Sequence, residues 1–469
     1  MRITFVRPHL FDARSRDALE PLVFAILKGL TPEEHSCELF DERIEALPEL
    51  FRSDLVAISV ETYTARRAYQ IAARVRAQGV RVVMGGYHPT FFPTEALRFA
   101  DAVVVGDAES VWLEILADAK RGRLKQIYRG DNRRTLSDVS FDRSIFQGKK
   151  YKRLVPIQFG RGCRFACDFC SIHAFYGSAV RTRPVADVIN EIVATGARYV
   201  LFIDDNLFVD KERTSELFRE VAKLKIRWAC QITIDVAADE HLMDLMAASG
   251  CLMALIGFES LSDDNLRNMK KRWNVRGGDY ASAIRKFKTR GIGVYASFVF
   301  GYDDDRPESF DRCAEFALES GAALAHFNTL TPMPGSGFYS RLVKDNRLLF
   351  PRWWLHPEYT YGQATFIPKH MSPQDLTEGC RRARFTFYRY RSITHRALAF
   401  LFQTGRLSDA LLLAGTNIIS RKEIEAKLGH RLGSKEPLEH DLLEDSPLTL
   451  ESAVPLESAL PLESSVHSI

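Results

Sequence analysis

The sequence predicts an α/β protein built from two parallel-sheet units in series, and three patterns predict it. Over residues 1–125, short apolar runs alternate with amphipathic helical stretches, as in a doubly wound parallel sheet. From Arg153 the alternation starts again and runs through six repeats. After residue 332 the chain turns aromatic and basic, and from Ser434 it passes into Pro-Leu-Glu-Ser near-repeats.

In the first unit, Arg2–Val6 reads as a strand and Ala18–Gly29 as an amphipathic helix. Cys37–Phe40 and Leu55–Val60 are further strands. Arg66–Gln78 is a helix stopped by Gly79. Val80–Met84 and Ala102–Val105 are strands followed by the loops Gly85–Pro89 and Gly106–Glu109. Ligands of such Rossmann-like sheets sit at the carboxyl ends of strands, so these loops, with Gly85, Gly86 and His88, are the expected cofactor-binding positions. Residues 126–150 are a polar connector.

The second unit has strands at Val155–Gly160, Tyr199–Asp204, Ile226–Ile234, Leu252–Phe258, Gly293–Phe300 and Ala323–Thr329. The helices between them are Pro184–Gly196, Lys211–Leu224, Asp239–Gly250, Tyr280–Arg290 and Glu308–Glu319. Over 151–332 this is a partial (β/α)6 TIM-like barrel, with its active site expected at the carboxyl ends of the strands. Residues 333–433 form a helical, aromatic extension carrying Trp353, Trp354, Tyr359 and Tyr361. Two readings stand for it: helices packed on the open side of the barrel, or a substrate lid for a planar or apolar molecule. Residues 434–469 read as a disordered tail.

Composition narrows the function. A chain of 469 residues, 46% hydrophobic and 26% charged, is expected to bury a substantial core. A net charge of +4 is weak for this length and argues against a nucleic-acid partner. Met1–Val6 is too short for a signal segment, and no apolar run approaches bilayer length, so no transmembrane segment is expected. Eight cysteines without disulfide-like pairing suit a reducing cytoplasm. Cys37, Cys230, Cys251, Cys313 and Cys380 read as ordinary core or surface residues.

The other three cysteines stand in one loop, Gly160-Arg-Gly-Cys-Arg-Phe-Ala-Cys-Asp-Phe-Cys-Ser171. Cys163, Cys167 and Cys170 can hold three corners of a [4Fe–4S] cube. Such clusters normally have four cysteines, so one iron is left open to a substrate. The alternative is zinc with a distant fourth ligand. No second C-x2-C or His pair lies near enough to complete that unit.

This loop resembles the signature of the radical SAM superfamily. The resemblance implies that the open iron chelates S-adenosylmethionine (SAM), and that reduction releases methionine and a 5′-deoxyadenosyl radical. It also puts Phe169 at the aromatic position beside the adenine. The resemblance extends over about residues 1–395. The first unit is similar to the cobalamin-binding domain that precedes many such barrels, although Asp-x-His-x-x-Gly is absent, so His ligation of cobalt is not expected. A Rossmann-like domain without the cofactor is the other reading.

The barrel's strand ends supply the remaining candidates. Asp204 and Asp205 stand where the superfamily often has Gly-Gly-Glu, and a carboxylate there can meet the methionine ammonium; the alternative is a helix N-cap by Asp205 or Asp210. By resemblance Glu259 meets the SAM ribose; otherwise it pairs with Lys270 or Arg272. Arg181 or Arg183 can pair with the methionine carboxylate or just span the rim. Gly301 permits close backbone approach, and His173 either tunes the cluster or caps its segment.

The expected function is reductive SAM cleavage with methyl transfer, through cobalamin, to an unactivated carbon of a small molecule. An external electron donor, flavodoxin- or ferredoxin-like, is implied. Two rivals remain: transfer of a 3-amino-3-carboxypropyl group without cobalamin, and an iron–sulfur redox sensor with an interaction domain.

Overall fold

The computed structural model describes all residues except 16–17, 138, 277–278, 437 and 439–469. Two six-stranded sheets, each wholly parallel, organise it. The first contains β1 (Arg2–Arg7), β2 (Ser36–Asp41), β3 (Leu55–Ser59), β4 (Arg81–Gly85), β5 (Ala102–Val105) and β6 (Ile127–Arg129), in the order β2-β1-β3-β4-β5-β6. The order reverses between β1 and β3, so a crevice opens at the carboxyl ends there. Its sixth strand lies in the stretch read as connector. Three residues offer too short a pattern to be recognised in sequence.

Helices α1 (Leu22–Leu30) and α5 (Trp112–Lys120) cover one face of this sheet. The other face takes α2 (Ala65–Ala77) and two one-turn helices, α3 (Tyr87–Phe91) and α4 (Pro93–Leu97). Trp353, Trp354 and Tyr359 of the C-terminal extension are fully buried in that same cluster. The tryptophan pair is therefore neither a lid nor a cover for the barrel's open side. It welds the extension to the first unit, and Trp354 donates to buried Glu95 at 3.0 Å.

The second sheet runs in sequence order: β7 (Leu154–Ile157), then, beyond the short hairpin β8 (Gly160–Arg161) and β9 (Arg181–Thr182), β10 (Tyr199–Phe202), β11 (Arg227–Ile232), β12 (Cys251–Glu259), β13 (Gly293–Phe300) and β14 (Leu324–Thr329). On β13 and β12 alternate side chains are buried, as one face packs on helices and the other lines the lumen. The helices are α6 (Ser171–Tyr176), α7 (Val185–Thr195), α8 (Lys211–Leu224), α9 (Glu240–Ala248), α10 (Asp263–Asn268), α11 (Arg272–Arg276), α12 (Tyr280–Thr289) and α13 (Glu308–Glu319).

The extension contributes α14 (Gly337–Lys344), α15 (Pro373–Phe387), α16 (Tyr390–Thr404) and α17 (Leu407–Lys427). Helix α15 runs beside β14, whose outer edge has no strand partner among the described residues. Side chains take that role. Tyr388 donates to Ala325 O at 2.9 Å, Arg384 Nε to Phe327 O at 2.8 Å, and Asn417 to Ala323 O at 3.3 Å.

The tail expected from Ser434 starts on ordered contacts: Gln70 accepts from Ser434 N at 3.1 Å, and Arg67 pairs with Glu436 at 2.9 Å. From residue 439 onward the expectation lies outside the described residues.

Candidate active site

The cysteine loop leaves β7 and is shaped by backbone constraints before any metal is considered. Gly162 has φ +88°, and a Cβ there would collide with Ala179 O. Only glycine fits. Asp204 accepts from Phe159 N at 3.1 Å and from Gly160 N, and Asp205 accepts from Gly162 N at 2.8 Å. The acidic pair is thus a brace for the loop. Asp204 is buried, and each of its oxygens is engaged by a loop amide. Its burial pushes its pKa up to about 7, against the pull of those amides. Asp205 stays half-buried at the loop.

The far side of the loop is fixed as firmly. Asp168 accepts from Tyr302 Oη at 2.7 Å and pairs with Arg341 at 2.8 Å. Phe165 stacks on Trp273, centroids 3.9 Å apart, and Arg164 reaches Asp235 at 2.7 Å. Phe169 is half-buried against the barrel core.

The residues fit a cluster. Burial pushes all three thiols up, Cys167 to about 12, so the pocket does not favour a bare thiolate. Donors answer this: Asn206 Nδ2 lies 3.9 Å from Cys163 Sγ, and the first amides of α6, those of Ile172 and His173, face Cys170. Three thiolates on one loop suit a cube, in which each binds its own iron and the fourth is left open. His173 donates from Nδ1 to Gly177 O at 3.1 Å, closing its own helix.

Glu259 ends β12 with φ +66°, a conformation rare for a side-chain-bearing residue and common at functional sites. Its partner is Lys271, at 2.6 Å, not Lys270 or Arg272. Lys271 also donates to Gly257 O at 2.7 Å, and both are buried or nearly so. A Cβ on Gly257 would occupy the space of this pair. Lys271 also lies close enough to Cys167 and Cys163 to lower their pKa values against burial. Sequence reasoning missed it; the only signal was a basic Lys-Lys-Arg run in which all three looked alike.

The arginine candidates face elsewhere. Arg183 is buried, donates to Gln158 O and Glu191, and lies 4.2 Å over the Phe141 ring. Arg181 pairs with Asp107 at 2.9 Å. Arg161, unremarked in the sequence, pairs with Glu109 at 2.6 Å and Asp107 at 3.2 Å. The loop Gly106–Glu109 of the first unit thereby grips the root of the cysteine loop. Gly301 is a packing glycine: a Cβ would lie 2.7 Å from Phe366 and 2.8 Å from Leu376.

Between the first sheet and the cysteine loop lies a cavity of about 370 Å³. Ala57, Val83, Val104, Leu27 and Trp112 give it apolar walls, and Gly85 and Gly86 its rim. Asp107, Glu109 and Arg161 make its mouth polar, and Ile172, Phe175 and Tyr176 of α6 roof it. Gly86 has φ +113°, and a Cβ there would press on the Val60 backbone, so this turn beside the cavity requires glycine. An apolar slot with a polar mouth fits a cofactor with a flat heteroaromatic part and a polar periphery, as cobalamin has. His88 is outside it: fully buried, bonded to Glu95 at 3.0 Å and Tyr69 at 3.1 Å, edge-on to Trp354. His9 and His35 are likewise engaged elsewhere, with Glu42 and the N-terminus.

Known proteins share the two-unit organisation of this chain. Residues 157–317 match the family described as the radical SAM superfamily, and residues 26–116 the B12 binding domain. The chain is similar to the bacteriochlorophyllide d C-12(1)-methyltransferase of Chlorobaculum tepidum, with 32% identity over 389 residues, covering 80% of this chain and 84% of that one. It is 26% identical over 361 residues to the bacteriochlorophyllide d C-8(2)-methyltransferase of the same organism, covering 73% and 80%. Its fold is similar to that of the radical SAM methyltransferase TsrM from Kitasatospora setae, solved with cobalamin and a [4Fe–4S] cluster: TM-score 0.60, 16% identity, covering 91% of this chain and 99% of that one.

Proposed function

The chain belongs to the radical SAM superfamily, in the branch that joins the barrel to a B12-binding domain, and from there we propose that its methyl acceptor is a carbon on the periphery of a chlorin-type tetrapyrrole. It is a methyltransferase with a [4Fe–4S] cluster, SAM and cobalamin as its cofactors. The observation that carries the substrate class is its likeness to two methyltransferases, both named for carbons of one macrocycle.

When bound, these groups supply one-electron cleavage of SAM and delivery of its methyl group. The chain's own residues bind, orient and exclude water. Cys163, Cys167 and Cys170 would hold three irons, on a loop that Asp204 and Asp205 keep in one conformation. Phe169, Asp205 and the Glu259–Lys271 pair would face SAM, with Glu259 towards the ribose hydroxyls. Gly85, Gly86 and the walls of the 370 Å³ cavity would hold cobalamin, and the aromatic end of α6 would separate it from bulk water. A flavodoxin- or ferredoxin-like protein would supply electrons, in the cytoplasm.

The test is an anaerobic reaction of the reconstituted holoenzyme with SAM labelled in its methyl group, a strong one-electron reductant and bacteriochlorophyllide d. A chlorin one labelled methyl heavier is the expected product. Formation of 5′-deoxyadenosine with every tetrapyrrole left unmethylated would sink the substrate class.

A further inference from the structure

Among the described residues, fourteen large hydrophobic side chains stand exposed, and eight of them lie on α16 and α17. The clustering is not the scatter expected of an ordinary surface. Leu398 and Phe402 follow each other at helical spacing up to the turn at Gly405, and Leu407 and Leu411 continue on the returning helix. Phe402 is 85% exposed, beside the tip of this helical hairpin. Between the helices lies a groove of about 250 Å³ walled by Ile393, Ala397, Leu401, Ala410 and Ala414, without a charged group in its lining.

The charge of the hairpin is as one-sided as its apolar face. Residues 389–427 carry seven Lys and Arg against Asp409, Glu423 and Glu425; Asp409 is buried on Arg227 at 2.8 Å, and the two glutamates sit at the end of α17 away from the tip, paired with Lys427 at 2.6 Å and Arg421 at 3.9 Å. Arg389, Arg391, Arg406 and Lys422 are exposed around the apolar stripe. A second copy of this surface would bring like charges together. An anionic lipid surface meets both halves of the pattern: phosphates take the arginines, and acyl chains take the protruding Phe402 and Leu407 and the apolar groove. A protruding tip suits a fluid interior better than a rigid protein face.

We propose that the α16–α17 hairpin docks this enzyme on the surface of an anionic bilayer, its tip entering the interface without crossing it. Among the described residues no helix is long and apolar enough to span a membrane. The inference does not depend on the tetrapyrrole reading.

Flotation of the full-length, cluster-loaded enzyme with phosphatidylcholine vesicles, with or without about one third phosphatidylglycerol, tests it. Binding is expected only with phosphatidylglycerol, and added salt weakens it. The double variant Phe402→Glu, Leu411→Glu should bind at least about tenfold less, with cluster absorbance and SAM cleavage unchanged, because both side chains are mostly exposed. Phe402→Trp should show a blue-shifted emission on anionic vesicles. Four results would overturn the proposal. The first is a full chain that stays soluble with all vesicles, and the second a double variant that binds as well as the parent. The third is a Phe402→Glu variant that splits a dimer indifferent to lipid, making a second copy the occupant. The fourth is binding that arises only once residues 439–469 are removed, making that segment the occupant.

Discussion

Arg161 and Glu109 form an ion pair at 2.6 Å that ties the root of the cysteine loop to the Gly106–Glu109 loop of the first sheet. Both are largely removed from solvent, and Asp107 joins them through Arg161 and Arg181. Burial alone would discourage the guanidinium charge, yet the two carboxylates raise its pKa above the ordinary value. The two units share this charge cluster, so its loss is felt on both sides.

Arg161→Met leaves two carboxylates facing a low-dielectric seam, a change that costs about 3–5 kcal/mol when a buried pair is broken. Chemical denaturation should show that loss, and reconstituted protein should retain less iron and less cobalt. Full cobalt content with only iron lost would mean the pair serves the cysteine loop alone.

Cys167→Ala should abolish both the cluster's visible absorbance and 5′-deoxyadenosine formation. Cys37→Ala, far from the loop, should change neither. Unchanged SAM cleavage in Cys167→Ala would remove the cluster from this loop.

Glu259→Gln should weaken SAM binding by about tenfold or more, the scale of a lost hydrogen bond to a charged group. Iron content should hold, because Glu259 touches Lys271 and not the cysteines. Equilibrium dialysis with labelled SAM reads the first and iron assay the second. Equal SAM affinity would leave the pair a purely structural brace for the strand end.

Asp305 accepts from Gly301 N at 2.9 Å, Tyr302 N at 3.0 Å and Asn265 Nδ2 at 2.9 Å. Burial nonetheless pushes its pKa up from 3.8 to about 7, the amide donors opposing only in part. The folded state therefore keeps this proton longer than the unfolded chain does. The associated stability is present in acid and is lost as pH rises from about 4 through about 7. Urea midpoints measured across this window should fall more in the parent than in Asp305→Asn, which cannot ionise. Parallel curves would assign the pH dependence to other groups.

The sequence made legible what is local. The three cysteines lie within eight positions, where their spacing suggests a cluster and the loop's resemblance to the radical SAM signature supplies the chemistry. Strands β12 and β13 showed their period of two, and Lys211–Leu224 its amphipathic face, so their bounds are found within a residue or two. What stayed hidden depends on partners distant in sequence. Asp204 braces amides 44 and 45 residues away, and nothing beside it in the chain says that both its oxygens are taken. His88 stood in an exposed-looking loop but is covered by Trp354, more than 250 positions later. Gly301 read as room for a ligand, whereas Phe366 and Leu376 of the extension take that room. Of the adjacent Lys270, Lys271 and Arg272, only the fold could choose which one turns inward.

The side chains that finish the outer edge of β14 carry a consequence for how this molecule behaves in a crowded solution. An open barrel ends in a row of bare amides and carbonyls, which is a template for zippering onto the same row of a neighbour. Tyr388, Arg384 and Asn417 occupy that row from within the same chain. The barrel can stay incomplete without seeding fibres of its own kind.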